Sequence, residues 1–275
     1  MATWYSETPP PEPRAYGLAG WLRIVVRGLA ILLVLLVGLA CLLALRLVEA
    51  PLHAPRRPWT PHITQTVCRI VLRLIGLRRT VQGRPAAEAR VVVANHVSWL
   101  DIFALNATQR VVFVAKSEVR GWAGIGWLAR ATGTLFVRRD RREAPQQQAA
   151  LRERIAAGQP VLMFPEGTST DGFRVLPFKT TLFAPLAGQA RLEVQAVSVV
   201  WTAPGGADPR FYGWWGDMDF GSHMLTVLAA PRQGGVTLRY HPPVDAGGFP
   251  DRKALALHLE RQTREGQWLA EGRSS

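Results

Sequence analysis

The stretch Arg90-Val91-Val92-Val93-Ala94-Asn95-His96-Val97-Ser98-Trp99-Leu100-Asp101 decides the fold of this chain. Residues 90–94 form a β-branched run in which no polar residue alternates with the apolar ones. Such a run reads as a strand buried on both faces, the kind that parallel sheets use. The apolar pattern then changes to a helical one over residues 100–107. The unit is therefore strand, turn, helix, and the turn carries a histidine and a carboxylate. Ends of strands in α/β sheets are where ligands bind.

The same alternation continues outward. Residues 111–114, 134–137, 161–164, 194–200 and 236–240 read as further strands. Residues 121–131, 143–157 and 251–269 read as helices. Alternating strands and helices predict an α/β domain over residues 79–275, with a central, mostly parallel sheet flanked by helices.

The N-terminal part reads differently. Pro9, Pro10, Pro11 and Pro13 mark a loose tail over residues 1–27. Residues 28–45 are 18 residues without a charge, bounded by Arg27 and Arg46. A helix of that length is about 27 Å long, close to the hydrocarbon thickness of a bilayer. A cleaved signal peptide fits less well, because the apolar stretch is too long and lies too far from the N-terminus. Pro51, Pro55 and Pro58 are expected to break the helix. Residues 62–77 follow with an amphipathic pattern that includes Arg69 and Arg73. That pattern suits a helix in the lipid interface or a helix packed on the domain. Residues 28–78 are thus expected to be membrane-attached helices. Arginines lie on both sides of the apolar run, so charge does not choose between a single span and a re-entrant hairpin.

Lys and Arg outnumber Asp and Glu by 33 to 20, giving a net charge of +13. A basic balance suits nucleic acid or an anionic membrane surface. The cations are scattered and no zinc-finger spacing occurs, which excludes nucleic acid and leaves the membrane. Cys41 and Cys68 are the only cysteines. They make no disulfide framework and suit a reducing compartment.

Three motifs carry chemistry. His96 and Asp101 are five residues apart across a strand-to-helix turn and can meet, so that the carboxylate would hold the imidazole in one tautomer and stabilise its protonated form. No G-x-S-x-G nucleophile elbow accompanies them, so the base is expected to activate a hydroxyl of the substrate. Taken alone, the pair also fits Asp101 capping its helix and His96 satisfied in the core. The second motif is Phe164-Pro165-Glu166-Gly167-Thr168-Ser169-Thr170, directly after a strand. Gly167 permits close backbone approach, and the hydroxyls and N–H groups suit an oxyanion or a phosphate. Glu166 suits a substrate hydroxyl or an arginine. The third is Gly133-Thr134-Leu135-Phe136-Val137-Arg138-Arg139, a strand ending in arginines that suit phosphate or a solvated edge.

These motifs, in this order, resemble the lysophospholipid acyltransferase family, the glycerolipid acyltransferases typified by 1-acylglycerol-3-phosphate acyltransferase. Asn95, His96 and Asp101 match the family's N-H-x-x-x-x-D block. Gly133, Phe136, Val137 and Arg139 match its G-x-x-F-[IV]-x-R block. Phe164, Pro165, Glu166, Gly167 and Thr168 match its F-P-E-G-T-R-S block. Val194-Gln195-Ala196-Val197 is a loose match to a fourth block, and the likeness covers roughly residues 80–201. Ser169 stands where the family usually has arginine, which removes one phosphate contact. The stretch from Asp171 to Lys179 also resembles a subgroup that includes lyso-ornithine lipid acyltransferases, in which Arg174 and Lys179 would supply charge.

The resemblance implies acyl transfer from acyl-CoA or acyl carrier protein to a lysophospholipid hydroxyl, foremost 1-acyl-sn-glycerol-3-phosphate, with lyso-ornithine lipid as the alternative acceptor. His96 and Asp101 would be catalytic; Arg139, Glu166, Gly167, Thr168 and Lys179 would bind substrate. Neither a metal nor a cofactor is called for. The protein is expected at the cytoplasmic membrane, with its site on the cytoplasmic side. Two competing classes are a lipid esterase or thioesterase, for which Ser98 is the serine within the first block, and a non-catalytic lipid-binding membrane protein.

Overall fold

The computed structural model describes residues 4–11, 15–54, 56–138, 142 and 144–270. Helix α1 (Leu18–His53) is followed by α2 (Thr60–Ile75), which folds back along it. The apolar run lies inside α1, which is 36 residues long and exposes most of its leucines and valines. Pro51 does not end this helix. It sits in the last turn, where a missing N–H costs one bond, and the Ala54 N–H still reaches Ala50 O at 3.1 Å. Gly38 lets the two helices approach closely, because a Cβ there would clash with Val67 Cγ2.

Helix α1 is fastened to the domain near its start and to α2 at its end. Arg23 Nε donates to Ala229 O, and Arg27 donates to Leu228 O and Ala230 O, each at 2.7 Å. These are the unpaired carbonyls at the C-terminus of a later helix, where a cation is favoured. At the other end, buried Glu49 accepts the N–H groups of Trp59 and Thr60 at 2.6 and 3.0 Å, and so caps α2. Helix α2 packs on the domain through Cys68, Val71, Leu72 and Ile75. Arg69 reaches Ala107 O at 2.8 Å. Of the two readings of this helix, packing against the domain is the one observed.

The sheet contains β1 (Arg78–Gln82), β2 (Val91–Ala94), β3 (Val112–Lys116), β4 (Leu135–Val137), β5 (Val161–Met163), β6 (Glu193–Thr202), β7 (Gly235–Tyr240) and β8 (Val244–Asp245). Helices α3 (Asp101–Thr108), α4 (Ile125–Ala131), α5 (Ala144–Ala156), α6 (Phe220–Ala229) and α7 (Arg252–Ala270) connect or follow the strands. Among the described residues the strand order is β1-β7-β6-β2-β5-β3-β4, with β8 also on β6. Strands β2 to β6 run parallel, and β7 and β8 are antiparallel to β6. The fold is thus the expected mixed α/β sheet with mostly parallel strands.

Val91 and Val93 face a core that includes Leu151, Leu255 and Leu259 of α5 and α7. Val92 and Ala94 face Ala104 and Leu105 of α3 on the opposite side. This is why the strand shows no polar alternation: both faces are covered. The chain leaves β2 toward β3 and leaves β5 toward β6, in opposite directions along the sheet. Adjacent strands with diverging connections open a crevice at their carboxyl ends. His96 and the Phe164–Thr168 turn both lie there.

Some local expectations are corrected. The helix read over 121–131 is shorter: Gly121 closes a 3-10 turn that begins at Ser117, and α4 starts only at Ile125, after Gly124 at φ +71°. The N-terminal tail is docked over residues 4–11. Tyr5 Oη donates to Asp217 Oδ1 at 2.9 Å, Trp4 packs on Trp215, and Arg210 donates to Thr8 Oγ1 at 2.8 Å.

Candidate active site

Asn95 ends β2 by continuing its pairing with a side chain. Its Nδ2 donates to Val199 O at 2.9 Å, and its Oδ1 accepts the Val199 N–H at 2.7 Å. The amide thus substitutes for a peptide group of the ladder, so the main chain is free to turn at His96.

Asp101 opens α3 and is fully buried. Its Oδ2 lies 2.8 Å from His96 Nδ1 and accepts the N–H groups of Val97 and Ser98 at 2.8 and 3.0 Å. Its Oδ1 accepts Trp201 Nε1–H at 2.7 Å. Four polar groups converge on one carboxyl group. With Nδ1 turned to this acceptor, Nε2 is the ring nitrogen left to face a substrate. The ring stacks on Phe164 at 4.1 Å between centroids, and the side chain remains 18% exposed. The two alternatives weighed for this pair are both present in part: Asp101 does cap its turn, and it holds the histidine as well.

Glu166 is placed differently from the expectation that it binds substrate. It is 1% exposed, and its oxygens accept the backbone N–H of His96 and of Leu176, both at 2.7 Å. Burial pushes its carboxyl up to about 8, against the lowering effect of those two N–H groups. Both oxygens are spent inside the protein. The Thr170 N–H returns to His96 O at 3.0 Å, and the Trp214 N–H to Val97 O at 2.9 Å. The peptide that carries His96 is thus held at its N–H and at its C=O by the turn after β5.

Gly167 adopts φ +68° and is half-buried, as is Thr168. Lys179 is half-buried below this turn, with its backbone N–H on Pro165 O at 2.9 Å. Arg139 lies outside the described residues. Ser169, at the position where arginine was expected, is buried and donates its hydroxyl to Trp214 O. Arg174 pairs with Asp171 at 3.2 Å and lies over the Trp4 ring at 5.0 Å. Ser98 is 0% exposed, which removes it as a nucleophile for a hydrolase.

Residue-by-residue reading missed Trp201 and the pair of Trp99 and His223. Trp201 is one hundred positions from Asp101 and is brought to it by the β2–β6 pairing. Trp99 Nε1 donates to His223 Nδ1 at 2.9 Å, and burial lowers His223 to about 4, so it is a neutral acceptor. Nothing local in either sequence segment signals these partners.

Residues 78–210 match the family described as Acyltransferase. The chain is 54% identical over 266 residues to a lyso-ornithine lipid O-acyltransferase of Rhodobacter capsulatus, covering 96% of each chain. It is 43% identical to a 1-acyl-sn-glycerol-3-phosphate acyltransferase of Neisseria gonorrhoeae over 105 residues, 37% of this chain and 41% of that one. The crystal structure of the 1-acyl-sn-glycerophosphate acyltransferase of Thermotoga maritima has the same fold, with a TM-score of 0.59 at 23% identity over 90% of this chain and 99% of that one. A site built on a strand-end histidine, its carboxylate and the turn after β5 is carried by a chain whose relative matches it from end to end, and this protein belongs to the acyltransferase family.

Proposed function

We propose that this acyltransferase moves a fatty acyl group from a thioester, acyl-CoA or acyl carrier protein, to the hydroxyl of lyso-ornithine lipid. The observation that carries the acceptor is the end-to-end likeness to a lyso-ornithine lipid O-acyltransferase, whereas the likeness to the Neisseria glycerophosphate enzyme spans only 37% of this chain. The acceptor expected first, 1-acyl-sn-glycerol-3-phosphate, thus gives way to the alternative. Ser169 agrees with this, since its hydroxyl is engaged by Trp214 O and brings no positive charge for a phosphate.

In the proposed reaction His96 Nε2 takes the proton of the acceptor hydroxyl as its oxygen attacks the thioester carbonyl. Asp101 stabilises the resulting imidazolium through Nδ1. The Gly167 N–H closes its own turn on Phe164 O at 3.0 Å, so the backbone N–H of Thr168 is the group in this turn that would receive the oxyanion, the interaction that such sites depend on most. Collapse breaks the C–S bond, and the imidazolium returns its proton to the departing thiolate. Glu166 acts as a positioning residue for the His96 peptide. Arg139 and Lys179 remain the proposed cationic contacts to the acceptor headgroup.

The exposed apolar surface of α1 supports association with a membrane. Because α1 is bonded to α6 near its start and the loop after it reaches Ala131 O through Arg57, we assign it to one leaflet, with the catalytic domain on the cytoplasmic side where thioester donors are found. The anionic membrane surface would hold the +13 chain close.

The test is an acceptor panel with the purified full-length protein, offering lyso-ornithine lipid and 1-acyl-sn-glycerol-3-phosphate with each donor. Transfer to lyso-ornithine lipid at least tenfold faster than to the phosphate lipid supports the reading; the reverse preference contradicts it.

A further inference from the structure

At the amino ends of the parallel strands, opposite the His96 crevice, lies a cavity of about 560 Å³. Arg90 precedes β2, Val111 and Val112 begin β3, and Pro160 precedes β5, and all of them line it. From Arg90 to His96 the chain runs roughly 20 Å along the strand direction, so this is a separate site. Four arginines, Arg57, Arg69, Arg90 and Arg110, line the cavity, and among the described residues no Asp or Glu does.

Each of these arginines uses one donor, and none of the partners is a carboxylate. Arg57 reaches Ala131 O at 2.8 Å, Arg69 reaches Ala107 O at 2.8 Å, Arg90 reaches Gly158 O at 3.3 Å, and Arg110 lies 3.4 Å from His62 Nδ1. Most of the fork on each guanidinium is uncommitted, and the buried Nε of Arg57 has no partner at all. Burial and the neighbouring cations Arg46 and Arg154 lower Arg57 to about 10. The nearby carboxylate, Glu49, is already taken by Trp59, Thr60 and Arg46. Thr64 and Thr132 add hydroxyls to the wall. Converging guanidinium forks without a carboxylate match a phosphate group.

The position says where that phosphate comes from. Leu42 of α1 and the first turn of α2 form one wall. Directly beside it Leu43, Leu47 and Trp59 are exposed. Acyl chains lying along that apolar surface would put a headgroup at the level of the arginines.

We propose that this cavity is a binding site for the phosphate of an anionic membrane phospholipid, distinct from the acyl-transfer site. The lipid would fasten the α1–α2 hairpin to the amino-terminal edge of the sheet and fix the height of the domain on the membrane.

The test uses the full-length protein in non-ionic detergent, with thermal unfolding followed during titration by short-chain phosphatidylglycerol, short-chain phosphatidylcholine or inorganic phosphate. Binding to the native state raises Tm with ligand concentration. Phosphatidylglycerol is expected to stabilise the wild type strongly and the other two ligands weakly. Arg57→Gln/Arg90→Gln should need about thirtyfold more phosphatidylglycerol for the same shift. Arg252→Gln/Arg261→Gln, which removes the same charge from exposed positions on α7, should behave as wild type. An equal loss in both double variants overturns the site in favour of diffuse charge. A full shift with inorganic phosphate alone overturns the lipid as ligand. If the pocket double variant does not fold, Arg110→Gln at the rim is read in the same way, with about fivefold weaker binding expected and unchanged binding contradicting the proposal.

Discussion

The carboxyl group of Glu166 accepts the backbone N–H of His96 at 2.7 Å, and with that bond the turn after β5 holds the turn after β2. The glutamate that sequence reasoning gave to the substrate serves the histidine instead. Its second oxygen is on the Leu176 N–H at the same distance, so a neutral amide in its place would turn an NH2 group toward one of two backbone donors. Glu166→Gln is therefore expected to lower kcat while leaving the acceptor KM near wild type, and to cost about 1–3 kcal/mol in stability. A large rise in KM with unchanged kcat would return Glu166 to the substrate.

The same variant reports on pH. Burial raises the Glu166 carboxyl from 4.5 to about 8. Between those values the folded chain retains a proton that the unfolded chain has released. The associated stability is complete below about 4.5 and is lost as pH rises through about 8. The stability difference between wild type and Glu166→Gln should thus shrink, or change sign, as pH rises across that window, with a slope of at most about 1.4 kcal/mol per pH unit. Urea unfolding in detergent at several pH values measures it, and a flat difference contradicts the assignment.

Asp101→Asn keeps the size of the side chain and removes its charge. Asn cannot accept from all four donors that Asp101 receives, and the Nδ1 proton of His96 loses its partner. Turnover should fall by about 10²–10⁴-fold with the fold retained. A variant with more than a tenth of wild-type kcat would mean that Asp101 is only a helix cap.

How much of this could be read in the chain depends on whether the determining contacts are local. Val91 to Ala94 announced a doubly covered strand because burial on both faces leaves a continuous apolar signature. Strand β1 was illegible: Arg78, Arg79, Thr80, Val81 and Gln82 are all exposed, and the strand exists through main-chain pairing with β7. Helix α6 was missed although Asp219 caps it by accepting the Ser222 N–H at 2.7 Å, because ten residues carry too little periodicity to stand out. The prolines mark a loose tail, yet Tyr5 and Thr8 find partners more than 200 positions away. In the site, His96 and Asp101 are five positions apart and legible, while Trp201 arrives through the sheet.

The placement of α1 predicts that the tail and the domain share one side of the membrane. With exposed Cys41 replaced by Ser and buried Cys68 left as the unlabelled background, a cysteine introduced at Ser6 or at Arg252 should be labelled by an impermeant maleimide in inside-out vesicles, and neither in intact spheroplasts. Labelling of the Ser6→Cys variant from the opposite side would mean that α1 crosses the bilayer.

The central claim is that His96 Nε2 accepts the proton of a lipid hydroxyl, with Asp101 behind it on Nδ1 and no enzyme nucleophile. The direct measurement is the initial rate of ester formation on lyso-ornithine lipid by purified wild type and His96→Ala in the same detergent, with thermal unfolding as the check on folding. The account predicts a folded variant whose kcat is lower by about 10²–10⁴-fold. Near wild-type turnover by folded His96→Ala would contradict it.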